Sequence, residues 1–230
     1  MNGHLCAILP ALNEADALPT ALAGSPSDVR VIVVDNGSTD ATSEIASGLG
    51  ARVVTEMRRG FGAACLAGAT AAPEGAVLVF LDADASLGWS DACRVAAPIL
   101  EGRADLSLGW RRRDLRAPGS MSWHVALANA LLGRLCGRSA GVRLHDIGPL
   151  RAIQRETLLG LGLEDRTYGW PLEMVLRAGR SGLRIVEVPV AYHPRVGTSK
   201  VTGRPWPTVK AAAKMLVVLA RHTRRQGTPR

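Results

Sequence analysis

Short apolar runs alternate with stretches of helical period along the first half of the chain. "HLCAILP" reads as a strand, "RVIVVD" is a β-branched run ending at Asp35, and "ARVVTE", "AVLVFLD" and "ADLSLGW" continue the series. Between them lie helical patterns. "ADALPTALAG" has Pro19 as an awkward interior residue and Gly24 as a stop. "DATSEIASGLG" offers Asp40 or Thr39 as N-cap, "GFGAACLAGATAA" is a small-residue helix ended by Pro73, and "SDACRVAAPILEG" is a fourth. This alternation predicts an α/β fold with a mostly parallel central sheet and helices on both faces. Strands that are continuously apolar agree with burial on both sides.

The second half reads differently. "WRRRDLRAPGS" (residues 110–120) is expected to be a basic loop, 121–137 a helix, and "HDIGPLRAI" a turn leading into a strand. "WPLEMVLRAGRSG" reads as a helix with Pro171 in its first turn and Gly182 near its end. "LRIVEVPVAYH" is strand-like, and Pro189 within it implies an edge or a bend. A glycine-containing basic loop from Pro194 to Pro205 precedes a last helix from about Trp206 to His222. No repeat or linker divides the chain, so one domain is expected.

In a parallel sheet, ligands bind beyond the carboxyl ends of the strands. Here those ends are polar: "LNE" after the first strand, "DNGSTD" after the second, "DAD" after the fourth. Asp82 and Asp84 would repel each other by roughly 1–4 kcal/mol at dielectrics between water and a protein surface. A divalent cation reverses that sign, and oxygen ligands select magnesium or manganese. Alternate strand residues share a face, so the two carboxylates are expected to aim at one ion. A capping role for the following helix fails because Asp82 is too far upstream. Asp35 adds a second acidic strand end, although Asn36, Gly37 and Ser38 also suit a plain turn. Asn13 and Glu14 offer acceptors for a base or ribose edge.

Composition and charge refine this picture. The chain has 230 residues, 47% hydrophobic and 21% charged, which fits a globular protein with a real core. The start lacks a basic, apolar secretory pattern, and no run of about 18 apolar residues exists, so a cytoplasmic setting without a spanning helix is expected. Cys6, Cys65, Cys93 and Cys136 are scattered and read as reduced core residues. The net charge of +8 is lopsided: nine Lys or Arg residues and no acid follow Glu187. Such a terminus suits an anionic partner, whether phosphate, lipid surface or nucleic acid. Only three of the 28 basic residues are lysine, so general arginine bias is the competing explanation.

"LPALNEADAL", "VVDNGSTDAT", "RRGFGAACLAG" and "FLDADAS" together resemble, in order and spacing, the nucleotide-sugar-binding half of glycosyltransferase family 2, whose members have the GT-A fold. "DIGPLRAI", "YGWPLEMVLRAGRSGLRIVEVPV" and "PRVGTSK" resemble its dolichol-phosphate mannose synthase branch. The likeness runs over about residues 4 to 218. It implies a donor half (about 1–109), an acceptor-side half (about 110–205) and a C-terminal amphipathic helix with a basic tail (about 206–230). Pro10, Leu12, Asn13, Glu14, Asp35, Asn36 and Gly37 would bind the donor, and Asp82 and Asp84 the metal, Mg2+ or Mn2+. Ser86 stands where the family often has Gln, as a candidate third ligand. Arg111 matches a basic residue that meets the acceptor phosphate, and His124 is the one candidate for the next basic contact. Arg195, Ser199 and Lys200 match a late loop over the phosphates. Asp84, Arg111, Arg195 and Lys200 would carry catalysis.

The implied activity is inverting transfer of a hexose, mannose or glucose, from a GDP- or UDP-sugar to a polyprenyl phosphate. Contact with anionic membrane at its cytoplasmic face would accompany it. A lipid phosphate needs no general base, whereas a hydroxyl acceptor would need a carboxylate, with Asp165 and Glu173 as candidates. A soluble transferase with a hydroxyl acceptor is therefore the alternative. A sugar nucleotidyltransferase is disfavoured because "PALNEADAL" lacks a glycine-rich basic loop. Nucleic-acid binding is not expected, since the tail has no interleaved aromatics.

Overall fold

The computed structural model of the protein describes residues 5–197. Ser199, Lys200, the expected last helix and the basic tail lie outside the described residues. The strands are β1 (Leu5–Ala11), β2 (Arg30–Asp35), β3 (Arg52–Thr55), β4 (Val77–Phe80), β5 (Leu106–Arg116), β6 (Arg151–Gln154) and β7 (Ile185–Tyr192). They form one sheet of order β3-β2-β1-β4-β6-β5-β7. Only β6 runs against its neighbours, pairing antiparallel with β4 and β5. The carboxyl ends of six strands and the start of β6 therefore share one rim. This is the mostly parallel α/β arrangement that the alternating pattern predicts.

Helices α1 (Leu18–Leu22), α2 (Thr42–Gly48), α3 (Phe61–Ala71), α4 (Trp89–Leu100), α5 (Trp123–Ala140), α6 (Arg155–Gly160) and α7 (Trp170–Arg180) cover both faces. Side chains alternate across each strand, so one strand feeds two cores. Cys6, Ile8, Leu78 and Phe80 pack with residues of α3, α5 and α7. Ala7, Leu9, Val79 and Leu81 pack with α1 and α4 on the other side. Each large apolar side chain buried in this way contributes about 1.5–3 kcal/mol. All four cysteines are free, and all but Cys93 are buried, in keeping with reduced core residues. Burial pushes the thiols of Cys6 up to about 11 and of Cys136 up to about 12.

Several local expectations need correction. Residues 110–116 belong to β5 rather than to a loop. The strand pairs with β7 up to Arg111↔Val190, then slips before Arg116↔Tyr192. That irregularity turns charged side chains outward and hides the strand period. Pro19 is not interior, because α1 starts at Leu18 and the proline sits in its first turn. The residue capping α2 is Ala41, without a side-chain bond, rather than Asp40 or Thr39. Asp40 instead accepts from the backbone of Thr42 and of Ala15 across the rim. The edge expected from Pro189 is present, since β7 ends the sheet.

Candidate active site

Three loops at the rim are laced together by the polar residues that follow β1 and β2. Asn13 has φ +52°, which turns the chain back beside the second loop. Its backbone N–H donates to Ser38 Oγ (2.9 Å), and its side-chain oxygen accepts from Thr39 N (2.7 Å). Glu14 N donates to Thr42 Oγ1 (2.9 Å). Asn36 is buried; its amide donates to the carbonyls of Glu56 (2.8 Å) and Arg58 (2.9 Å), and its oxygen accepts from Gly60 N (2.7 Å). Asp35 accepts from Ser38 N (2.8 Å) and Ser43 Oγ (2.7 Å). Burial works against its charge, but the bonds from Ser38, Ser43 and Gly37 outweigh it and hold the carboxyl below the usual range. The side chains of Asp35 and Asn36 thus build the rim. Gly37, at φ +81°, leaves its surface to the Arg59 guanidinium, whose Nε would lie 3.3 Å from a Cβ there.

The paired aspartates are brought together, though not by strand alternation. The β4–β6 ladder ends at Phe80↔Arg151, and Asp82 to Ser86 form a turn. Ala85 has φ +60°, a strained conformation for a residue with a Cβ. Asp84 Oδ1 accepts from Ser86 N (3.0 Å), closing the turn. The chain after β7 is pinned over it: His193 N donates to Ser86 O (2.9 Å) and Val196 N to Asp84 O (2.9 Å). These bonds set Arg195 Nη1 3.2 Å from Asp84 Oδ2. Burial opposes the charge of Arg195, but Asp84, Tyr192 and Asp82 outweigh it and hold the guanidinium more firmly than usual. Burial, then the neighbouring Asp84, pushes Asp82 up to about 7.

Arg111 is buried and committed. Its Nε and Nη2 meet the two oxygens of Asp146 at 2.7 and 2.8 Å, and its guanidinium lies 5.1 Å from the Tyr192 ring centre. Asp146, itself 2% exposed, neutralises it. The "DIGPLR" segment supplies two further buried residues, Asp146 and Arg151, that nothing in its sequence marks as site residues. Arg151 is 1% exposed and bonds the carbonyls of Gly148, Pro149 and Pro171. Burial pulls it down to about 10, against the opposing influence of Cys65 and Asp82, so it stays cationic at neutral pH. Arg116 joins them at the end of β5. Its Nε donates to Arg111 O (2.7 Å), and Asp146, bonded to Arg111, acts on it only from a distance. Its sequence signal is the arginine run itself, whose lack of apolar alternation hides the strand.

Glu173 and Asp165 bond to neighbouring backbone, while Pro10, Leu12 and His124 keep their places at strand and helix ends. Glu173 is 2% exposed; its carboxylate accepts from the backbone of Glu164 (3.1 Å) and Asp165 (2.7 Å) and pairs with Arg177 Nε at 2.8 Å. Asp165 accepts from Thr167 N and Oγ1, at 2.7 and 2.8 Å. His124 is exposed at the start of α5, with its ring 3.1 Å from Ser122 Oγ. Pro10 is partly exposed near the end of β1, and Leu12 follows that strand.

The donor set of the Asp82–Ser86 turn suits a hard cation. It consists of oxygen atoms only, and Ser86 Oγ is buried with no hydrogen-bond partner. Among the described residues no group of three or more His, Cys, Asp or Glu side chains could hold a metal ion. Two carboxylates would therefore need oxygen from a bound substrate to complete a coordination shell.

The chain matches the Glycosyl transferase family 2 model over residues 6–159. It is 42% identical over 197 residues to an uncharacterized glycosyltransferase of Mycobacterium tuberculosis, covering 85% of this chain and 88% of that one. An undecaprenyl-phosphate mannosyltransferase of Micrococcus luteus is 32% identical over 217 residues, covering 85% and 86%. Among solved structures, glucosyl-3-phosphoglycerate synthase from Mycobacterium tuberculosis, in complex with Mn2+, UDP and glucosyl-3-phosphoglycerate, superposes with a TM-score of 0.73. It is 23% identical and covers 96% of this chain and 80% of that one, a likeness that bears on the fold.

Proposed function

The chain belongs to glycosyltransferase family 2, and we propose that it moves a hexose from a nucleoside diphosphate sugar to a polyprenyl phosphate. The observation that carries the proposal is the Asp82–Ser86 turn with Arg195 pinned to Asp84 at 3.2 Å. A carboxylate pair and a cation side by side suit a diphosphate that arrives with a divalent ion. The name of the Micrococcus relative supports a polyprenyl-phosphate acceptor.

Asp82 and Asp84, with Ser86 beside them, would hold magnesium or manganese. That ion would neutralise charge on the donor diphosphate. Arg195 would swing from Asp84 to a phosphate oxygen and meet the charge that develops as the sugar–oxygen bond breaks. The rim formed by Asn13, Asp35, Asn36 and Gly37 would seat the nucleoside. Lys200 and Ser199 would add phosphate contacts. Arg116, which Asp146 offsets only from beyond ion-pair distance, would draw the acceptor phosphate to the rim, with Arg111 held beside it by Asp146.

The acceptor oxygen is already anionic near neutral pH. Its attack in line with the leaving diphosphate forms one carbon–oxygen bond as the other breaks, and inverts the anomeric carbon. No proton need be removed. The bonds around Glu173 and Asp165 are consistent with a reaction that asks neither to be a base. The test supplies radiolabelled GDP-mannose or UDP-glucose, Mn2+ and detergent-dispersed undecaprenyl phosphate. Label in an acid-labile lipid product supports the reading. Transfer only to a hydroxyl acceptor such as 3-phosphoglycerate overturns it.

A further inference from the structure

Helix α5 carries a row of large apolar side chains on its outer face. Trp123, Leu127, Leu131 and Leu135 follow one another at i+4 and are 78%, 60%, 56% and 38% exposed. The other exposed large apolar residues, Leu49, Met57, Leu100 and Tyr168, occur singly on separate segments, which needs no special explanation. A contiguous row on one helix does. We propose that this face of α5 lies on a lipid bilayer containing anionic headgroups, and so holds the acceptor side of the rim at the membrane surface.

Charge selects this occupant. α5 contains Arg134 and Arg138, both exposed, and no acidic residue. From Trp110 to His145 there are seven arginines against Asp114 alone. A second copy would bring two cationic faces together. The chain's own segment after Glu187 has apolar runs but carries nine Lys or Arg residues and no acid, so it too would bring cations to a cationic face. An anionic leaflet complements the face: leucines enter the acyl boundary, arginines meet lipid phosphates, and a terminal tryptophan sits at headgroup level. Among the described residues no helix is long and apolar enough to cross a membrane, so α5 would rest in the interface plane.

The inner face of α5 ties this surface to the chemistry. A Cβ on Gly133 would come within 2.9 Å of Asp146 N, and one on Gly137 within 2.6 Å of Val142 O. The helix backbone is therefore pressed against the segment that presents Asp146 to Arg111. The inference rests on a lipid-borne acceptor, since a helix in the interface would set that rim beside the lipid headgroups.

The test uses the full chain, its Leu127→Glu/Leu131→Glu variant and vesicles of phosphatidylcholine with or without phosphatidylglycerol. The wild type is expected to co-sediment with the anionic vesicles. The variant should bind about tenfold or more weakly, with an unchanged melting temperature. Turnover of a short, water-soluble prenyl phosphate should stay within about twofold, while turnover of vesicle-borne acceptor falls with binding. Wild type that ignores anionic vesicles, or a variant that binds as well, overturns the proposal. So does a variant that only loses melting temperature, which would mean that the chain covers its own stripe, or one that only loses self-association. If neither acceptor turns over but the leucine-dependent vesicle binding persists, the membrane face stands and the acceptor assignment falls.

Discussion

Arg195 reaches Asp84 across more than a hundred residues of chain and rests 3.2 Å from its carboxylate. The contact is prepared by backbone bonds from His193 and Val196 to the same turn. The guanidinium neutralises the carboxylate that would otherwise attract a metal ion. Removing it should have two opposite effects. Arg195→Ala should bind Mn2+ alone more tightly, read as a larger metal-induced melting shift. Its turnover should fall about 100-fold or more, because the developing diphosphate charge loses a partner. Weaker metal binding by this variant would mean that Arg195 orders the turn rather than competing within it.

The Arg111–Asp146 pair sits where charge is costly to strand. Asp146→Ala should destabilise the protein by about 3–5 kcal/mol, since it leaves a buried guanidinium unpaired. Urea unfolding measures this. The double variant Arg111→Met/Asp146→Leu should recover much of that stability but not turnover. Equal stability of Asp146→Ala and wild type would show that the pair is not closed in solution.

Protonation of Asp82 has a defined sign. Burial and Asp84 raise its pKa to about 7 in the folded, metal-free protein. A carboxyl raised on folding contributes stability at low pH that is lost as pH rises through the folded value. Asp82→Asn should therefore melt higher than wild type at pH 8, and the gap should shrink toward pH 5. Added Mn2+ should raise the wild type at pH 8 and leave the variant unmoved. A gap that does not vary with pH would contradict the assignment.

Much of this was legible in the sequence for a simple reason: β1, β2 and β4 are continuously apolar because helices cover both faces, and their polar ends mark the rim. The strand ending at Arg116 was not legible, because its irregularity replaces alternation with a run of arginines. Nor were Asp146 and Arg151. Asp146 follows His145 in a short polar stretch, and Arg151 opens a four-residue strand. Nothing local announces that either is buried; only the antiparallel docking of β6 beside β4 takes Arg151 beneath the aspartates. Asp35 and Asn36 were legible as rim residues, but their bonds to Ser43 and Glu56 depend on a meeting of loops that spacing does not encode.

Glu173 should matter for folding more than for proton transfer. Gln at this position keeps an acceptor but turns an amide toward the N–H groups of Glu164 and Asp165. Glu173→Gln should cost about 1–3 kcal/mol in stability, with kcat reduced by less than about tenfold. A loss of roughly 100-fold with stability intact would instead identify a general base and a hydroxyl acceptor.

The central claim is that the Asp82–Ser86 turn binds the donor diphosphate through a divalent ion. Calorimetric titration of UDP and GDP, with and without Mn2+, into wild type and Asp84→Asn tests it most directly. The account predicts that one of the two nucleotides binds the wild type in Mn2+ and not in chelator, and that Asp84→Asn, still folded, binds neither. Equal binding with and without metal, or an Asp84→Asn variant that binds like wild type, would contradict it.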